Sequence, residues 1–156
     1  MPELPEVETV SLALSKVINN AKVVKTEIFR NDLRWKIKKS LKKDLQNDLF
    51  EKPFRRGKFI LIPTIKDNIF LIHLGMSGQI KIRDSIETLL KHDHVRITIK
   101  SNNDKIYFIT YNDPRRFGYI DLFNKKDIDQ HFLLKKLGVE PFAKELNVNY
   151  LEKIFK

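Results

Sequence analysis

The 156-residue sequence contains no cysteine, only five glycines and one tryptophan. Without cysteine there is no disulfide framework and no thiolate zinc site, and the four histidines are too few and too clustered to suggest another metal cage. No apolar run approaches the roughly 20 residues of a membrane-spanning helix. The N-terminus lacks a basic segment followed by an apolar stretch and a small-residue cleavage site, so nothing marks it for secretion. A cytoplasmic protein with no metal in this chain and no membrane partner is the expectation. Acidic residues are also scarce: 20 Asp and Glu against 30 Lys and Arg leave a formal net charge of +10. A polyanion is therefore the leading partner class, because basic side chains neutralise phosphates and release counterions. Lysines such as Lys36, Lys38 and Lys39 also fit plain solvated surface.

What is present fits one soluble globular domain. Hydrophobic residues make up 42% and charged residues 32%, and this length can bury a core without covalent staples. After Pro5, the apolar residues Val7, Val10, Leu14 and Val17 recur at helical spacing, which predicts a helix from about Glu6 to Ile18. Glu6 and Glu8 would then sit near the positive end of its dipole. Asn19-Asn20 reads as a stop, and Lys22 to Ile28 as a strand. Asn31 to Lys52 is loosely patterned and reads as irregular, with a short strand near Leu49-Phe50. From Phe59 onward come short β-rich runs at 59–62, 69–74, 79–82, 95–100, 105–111 and 119–123. Turn residues separate them, and successive antiparallel hairpins are expected. Helical patterns return at Asp127 to Leu137, ending at Gly138, and again from about Asn147.

Five motifs can carry chemistry. If Met1 is trimmed, Pro2 presents a secondary amine with Glu3 and Glu6 close behind; such an amine can form an iminium and titrates well below a lysine side chain. On this octapeptide alone, a frayed start with Pro5 opening a helix is the favoured reading. Arg55-Arg56-Gly57-Lys58 suits phosphate binding or an exposed basic turn. His73-Leu74-Gly75-Met76-Ser77-Gly78 ends a strand in a tight turn that lifts Met76 to the surface, although methionine more often fills a core. Lys91-His92-Asp93-His94 suits phosphate contact or a structural role better than a metal. In Asn112-Asp113-Pro114-Arg115-Arg116-Phe117-Gly118, an Asp-Pro turn sets two cations beside an aromatic. That combination can hold a phosphate backbone and wedge into a base stack, or it can be a core phenylalanine with solvated arginines.

These motifs, in this order and followed by Leu137-Gly138-Val139-Glu140-Pro141, closely resemble those of the bacterial formamidopyrimidine-DNA glycosylases. The resemblance implies an α+β fold, an antiparallel β-sandwich flanked by helices. It also implies a monomeric, DNA-associated repair enzyme that excises 8-oxoguanine and formamidopyrimidines from damaged double-stranded DNA and then nicks the strand at the abasic site. Residue by residue, Pro2 matches the nucleophile and Glu3 the group that handles protons, with Glu6 in the same pocket. Lys58 matches the lysine that assists lesion recognition and β-elimination. His92, Arg115 and Arg56 match DNA-contacting positions. Met76, Arg115 and Phe117 match the trio that fills the gap left by a flipped nucleotide.

Family members continue into a helix-two-turn-helix region and a zinc finger that this sequence does not contain. The expected division is a catalytic N-terminal domain over 1–137, with 138–156 as a linker and the start of a helical domain. No cofactor is expected in this chain, and weakened activity is expected from the missing part. Two other function classes fit parts of the pattern. One is a DNA-binding module without turnover, and the other is a small-molecule enzyme using a terminal proline as base.

Overall fold

The computed structural model describes residues 4–137. Pro2, Glu3, the expected 138–156 segment and the helix expected near Asn147 lie outside the described residues. Along the chain run α1 (Leu4–Ile18), β1 (Lys22–Ile28), α2 (Leu41–Leu45), β2 (Phe54–Arg56), β3 (Phe59–Pro63), β4 (Asn68–His73), β5 (Gln79–Arg83), β6 (Asp93–Lys100), β7 (Ile106–Asn112) and β8 (Tyr119–Asn124). Two 3₁₀ segments, Lys125–Gln130 and Leu134–Leu137, follow.

The strands form two four-stranded antiparallel sheets, ordered β1-β6-β7-β5 and β2-β3-β4-β8. Val23, Val95, Ile97, Ile99 and Ile109 of the first sheet meet Ile60, Ile62, Phe70, Ile72 and Ile120 of the second in the main core. Val7, Leu14 and Ile18 bury one stripe of α1 in the same core, as the spacing of its apolar residues dictates. The second sheet is covered on its other face too: Phe59, Leu61, Ile69, Leu71 and Tyr119 pack with Leu134 and Trp35. Burial on both faces accounts for the unbroken apolar runs of β3 and β4. The expected α+β sandwich is thus the fold.

Four details differ from the sequence reading. The segment read as irregular contains α2, and its Leu33, Ile37, Leu41 and Leu45 are all buried; Leu49 and Phe50 form isolated bridges to Lys22 and Thr64. A short strand, β2, pairs with β3 through the turn at Gly57-Lys58. Gly75–Gly78 does not close a hairpin, because β4 pairs with β3 and β8 while β5 pairs with β7 in the other sheet. Finally, the helix expected over Asp127–Leu137 is two 3₁₀ pieces split at His131, whose backbone is extended (φ −59°, ψ 130°). The His131 ring is within 2.9 Å of Asp121 Oδ2, which holds the break in place.

Candidate nucleic-acid interface

Strand register brings the motif-bearing loops to one end of the sandwich. Phe59 faces His73, and His73 faces Tyr119, across β3, β4 and β8. Gln79 and Asp93 both face Asn112 across β5, β7 and β6. Lys58, Met76, His92 and the 113–118 loop therefore all leave the sheets at that end.

Asp113 fastens these loops. It is fully buried, and four donors converge on its carboxylate. Ser77 Oγ donates to Oδ1 at 2.7 Å and Arg116 N to Oδ1 at 3.1 Å. Tyr111 Oη donates to Oδ2 at 2.9 Å and Gly118 N to Oδ2 at 2.8 Å. Burial, reinforced by the Asp113 charge, pushes the Tyr111 phenol far up from its ordinary value, so it remains a donor. Ser77 Oγ also accepts from Arg115 N at 3.0 Å. Asp113 N donates to the His92 carbonyl at 3.0 Å, and the His94 ring nitrogen Nε2 lies 2.7 Å from the Asp113 carbonyl. One acidic side chain and its peptide thus link the Met76, His92 and Arg115 segments.

Two glycines let the loops touch. Gly75 sits at φ +63°, and a Cβ there would lie 2.5 Å from Gly118 N. A Cβ on Gly118 would collide with Tyr111 Oη and lie 2.6 Å from the His73 carbonyl. The left-handed residue of the 113–118 turn is Arg116, at φ +59°, whereas Gly118 is required for close approach. This uncommon conformation for a side-chain-bearing residue is held by Asp113 on one side and by Asp32 on the other, with Arg116 Nη1 2.7 Å from Asp32 Oδ2.

So fastened, the loops expose what a core would normally hide. Met76 is 42% and Phe117 43% exposed, and both line a recess of ≈ 390 Å³ with Arg34, His73 and Gly75. The Arg115 guanidinium lies 5.3 Å from the Phe117 ring centre. The His73 ring lies tilted against Phe59, centres 4.6 Å apart, and its Nδ1 accepts from Gly75 N. Burial, with the nearby Lys58 and Arg34 charges, lowers the His73 pKa from its ordinary 6.5, which fits a neutral ring. Glu6 lines a neighbouring cleft of ≈ 350 Å³ with Leu74, Gly78 and Gln79.

Several motif residues are elsewhere or have other duties. Arg56 shares the covered face of β2 and β3 with Phe59, is only 5% exposed and pairs with Asp129 at 3.6 Å. It is therefore not among the cations on this face, because the 3₁₀ segment closes over it. Glu8 accepts from Arg55 Nε at 3.0 Å, tying α1 to β2. His94 is buried, and Asp93 is held by Lys81 at 2.9 Å and Asn112 at 2.8 Å. Among the described residues, no group of three or more His, Cys, Asp or Glu could hold a metal. Sequence reasoning missed Ser77, Asp113 and Tyr111 as a unit. The sequence marks Asp113 only as a turn former, and nothing in its spacing from Ser77 signals their contact.

A β-sandwich end that offers two exposed apolar side chains among cations has the side-chain types needed to grip a phosphate backbone and wedge into a base stack. The model of the formamidopyrimidine-DNA glycosylase N-terminal domain matches residues 1–120. The chain belongs to this family. It is 39% identical over 163 aligned residues to a formamidopyrimidine-DNA glycosylase of Bartonella quintana, covering 99% of this chain and 56% of that protein. It is 43% identical over 151 residues to one from Vesicomyosocius okutanii, covering 97% of this chain and 53% of that one. A solved Lactococcus lactis formamidopyrimidine-DNA glycosylase, bound non-covalently to DNA containing an abasic site, superposes with a TM-score of 0.78 at 28% identity, covering 97% of this chain and 56% of that one. The chain thus spans a little over half the length of these relatives. Among the described residues no helix is long and apolar enough to cross a membrane.

Proposed function

We propose that this chain is the catalytic half of a bifunctional DNA glycosylase and AP lyase, acting on oxidised purines such as 8-oxoguanine and formamidopyrimidine in double-stranded DNA. The observation that carries the reading is that the loops bearing Met76, Arg115 and Phe117 are fastened together by the Asp113 carboxylate, at the same end as Lys58 and His92. Taking a nucleotide out of a duplex costs a few kcal/mol in lost stacking. Two apolar side chains held out into solvent are suited to fill the gap, with Arg115 and His92 holding the backbone.

The covalent chemistry rests on Pro2 and on residues near it. With Met1 removed, the Pro2 nitrogen attacks C1′ of the damaged nucleotide. The bond from C1′ to the base breaks, and the base leaves with the proton that the Pro2 nitrogen gives up on bonding to C1′. Glu3 protonates the ring oxygen as the sugar opens, leaving an iminium between Pro2 and C1′. Loss of the C2′ proton then expels the 3′ phosphate, which nicks the strand, and water releases the amine. An α-amino group with an ordinary pKa near 8 has a usable neutral fraction at pH 7. Lys58 assists lesion recognition and the elimination. Glu6, four residues after Pro2 and already on a cleft, provides a second carboxylate.

The test is a strand-nicking assay with an end-labelled duplex carrying one 8-oxoguanine. Release of the base and a nick at that site, absent from the undamaged duplex, is the expected result. Salt-sensitive binding that is indifferent to the lesion, without a nick, would instead make this a DNA-binding module.

A further inference from the structure

The motifs account for most of this face, yet one cation on it belongs to none of them. Arg34 leaves the segment between β1 and α2, and its backbone N donates to the Arg116 carbonyl at 2.8 Å. It is thereby tied to the turn that carries Arg115 and Phe117. Its guanidinium lies 4.4 Å from the Trp35 ring centre, and Trp35 is itself held edge-on by Tyr119 and Phe132 at 5.3 and 5.7 Å. A stacked guanidinium keeps its in-plane N–H groups free for an anion.

Two arginines near Arg34, Arg30 and Arg116, share one carboxylate. Asp32 takes Arg30 at 2.8 Å and Arg116 at 2.7 Å. Among the described residues no carboxylate pairs with Arg34. It borders the same recess as Met76, Phe117 and His73, and its charge, like that of Lys58, acts on His73. Arg34 therefore stands between the Lys58–His73 side of the face and the Phe117 side.

We propose that Arg34 is a further DNA-contacting residue, its Trp35-stacked guanidinium binding a backbone phosphate beside the nucleotide that Met76 and Phe117 displace. The inference rests on the DNA-binding reading above. A planar guanidinium can take two phosphate oxygens at once, which a lysine cannot do.

The full chain, its Arg34→Gln and Arg34→Lys variants, and a duplex with a single abasic-site analogue provide the test, with binding followed by anisotropy across a salt series. Because Arg34 is exposed, both variants should melt as the unchanged chain does. Arg34→Gln should weaken binding about tenfold at low salt and make the slope of log K against log salt shallower by about 0.9, the loss of one phosphate contact. The undamaged duplex should lose affinity in the same proportion, and Arg34→Lys should fall between. An unchanged slope for Arg34→Gln overturns the assignment while leaving the DNA-binding reading intact. A loss confined to the abasic duplex overturns it too, by pointing to contact with a base. If the unchanged chain binds neither duplex, both readings fall.

Discussion

Ser77 Oγ donates to Asp113 Oδ1 at 2.7 Å, joining the loop between β4 and β5 to the loop between β7 and β8. The same hydroxyl accepts from Arg115 N at 3.0 Å. Met76 and Arg115 are thus neighbours, through one serine and one aspartate, of a single buried carboxylate. That unit sets the spacing of the exposed trio in the free chain, and under the proposed function such a preorganised wedge needs no ordering during binding.

Replacing the carboxylate with an amide tests the unit directly. Asp113→Asn keeps the shape but offers only one acceptor oxygen to four converging donors. Hydrogen bonds to charged groups contribute about 1.5–3 kcal/mol each, and orphaned buried donors add to the loss. A loss of about 3 kcal/mol in unfolding free energy is expected by urea denaturation. Ser77→Ala, which removes both the bond to Asp113 and the one from Arg115 N, should cost about 1–2 kcal/mol.

Gly118 has no room for a methyl group. In Gly118→Ala the new carbon meets Tyr111 Oη, the His73 carbonyl and Asp113 Oδ2, two of which are fixed by the sheet register. Destabilisation of about 2–3 kcal/mol, typical of overpacking, should appear as a lower urea midpoint with an unchanged slope.

Met76→Ala and Phe117→Ala should behave in the opposite way. Both side chains are more than two-fifths exposed, so stability should move by less than about 1 kcal/mol. In a duplex with 2-aminopurine opposite an abasic-site analogue, however, the fluorescence change on binding should shrink sharply. A full-sized change in both variants would mean that they do not enter the stack.

Acid should loosen the second sheet's covered face through Asp121. Burial alone pushes its carboxyl up, but hydrogen bonds from His131, Lys38 and Tyr119 outweigh burial and hold it below the ordinary 3.8. With the folded value depressed, the unfolded chain binds the proton more readily. The contribution is therefore complete above about pH 4 and is lost as pH falls through the lower folded value. Asp93 follows the same pattern under Asn112, the Leu90 amide and Lys81. Asp121→Asn should flatten the stability-against-pH curve below pH 4, which acid titration of the melting temperature would measure.

The sheets were largely legible in the sequence because most strands are runs of β-branched and aromatic residues between turn formers. Phe54–Arg56 was not, since three residues with two cations hold no periodicity, and the pairing that makes them a strand comes from β3. Turn chemistry at Gly75–Gly78 announced a reversal but could not say which sheet the chain would enter next; that is settled by distant partners in β7 and β8. Leu33, Ile37, Leu41 and Leu45 recur every four residues and are all buried, a signal diluted by the lysines between them. The exposure of Met76 and Phe117 was one of two readings left open by the sequence. Arg56 and Arg115 stand in similar basic motifs, and only the faces of their elements separate a buried guanidinium from an exposed one.

In the proposed reaction the Pro2 amine attacks the sugar. Incubating the Met1-processed chain with an abasic-site duplex and borohydride should give a covalent protein–DNA adduct, and peptide mapping should place the modification on Pro2. A form that retains Met1 should give none. An equal yield of adduct with Met1 in place, or an adduct mapped to Lys58, would contradict it.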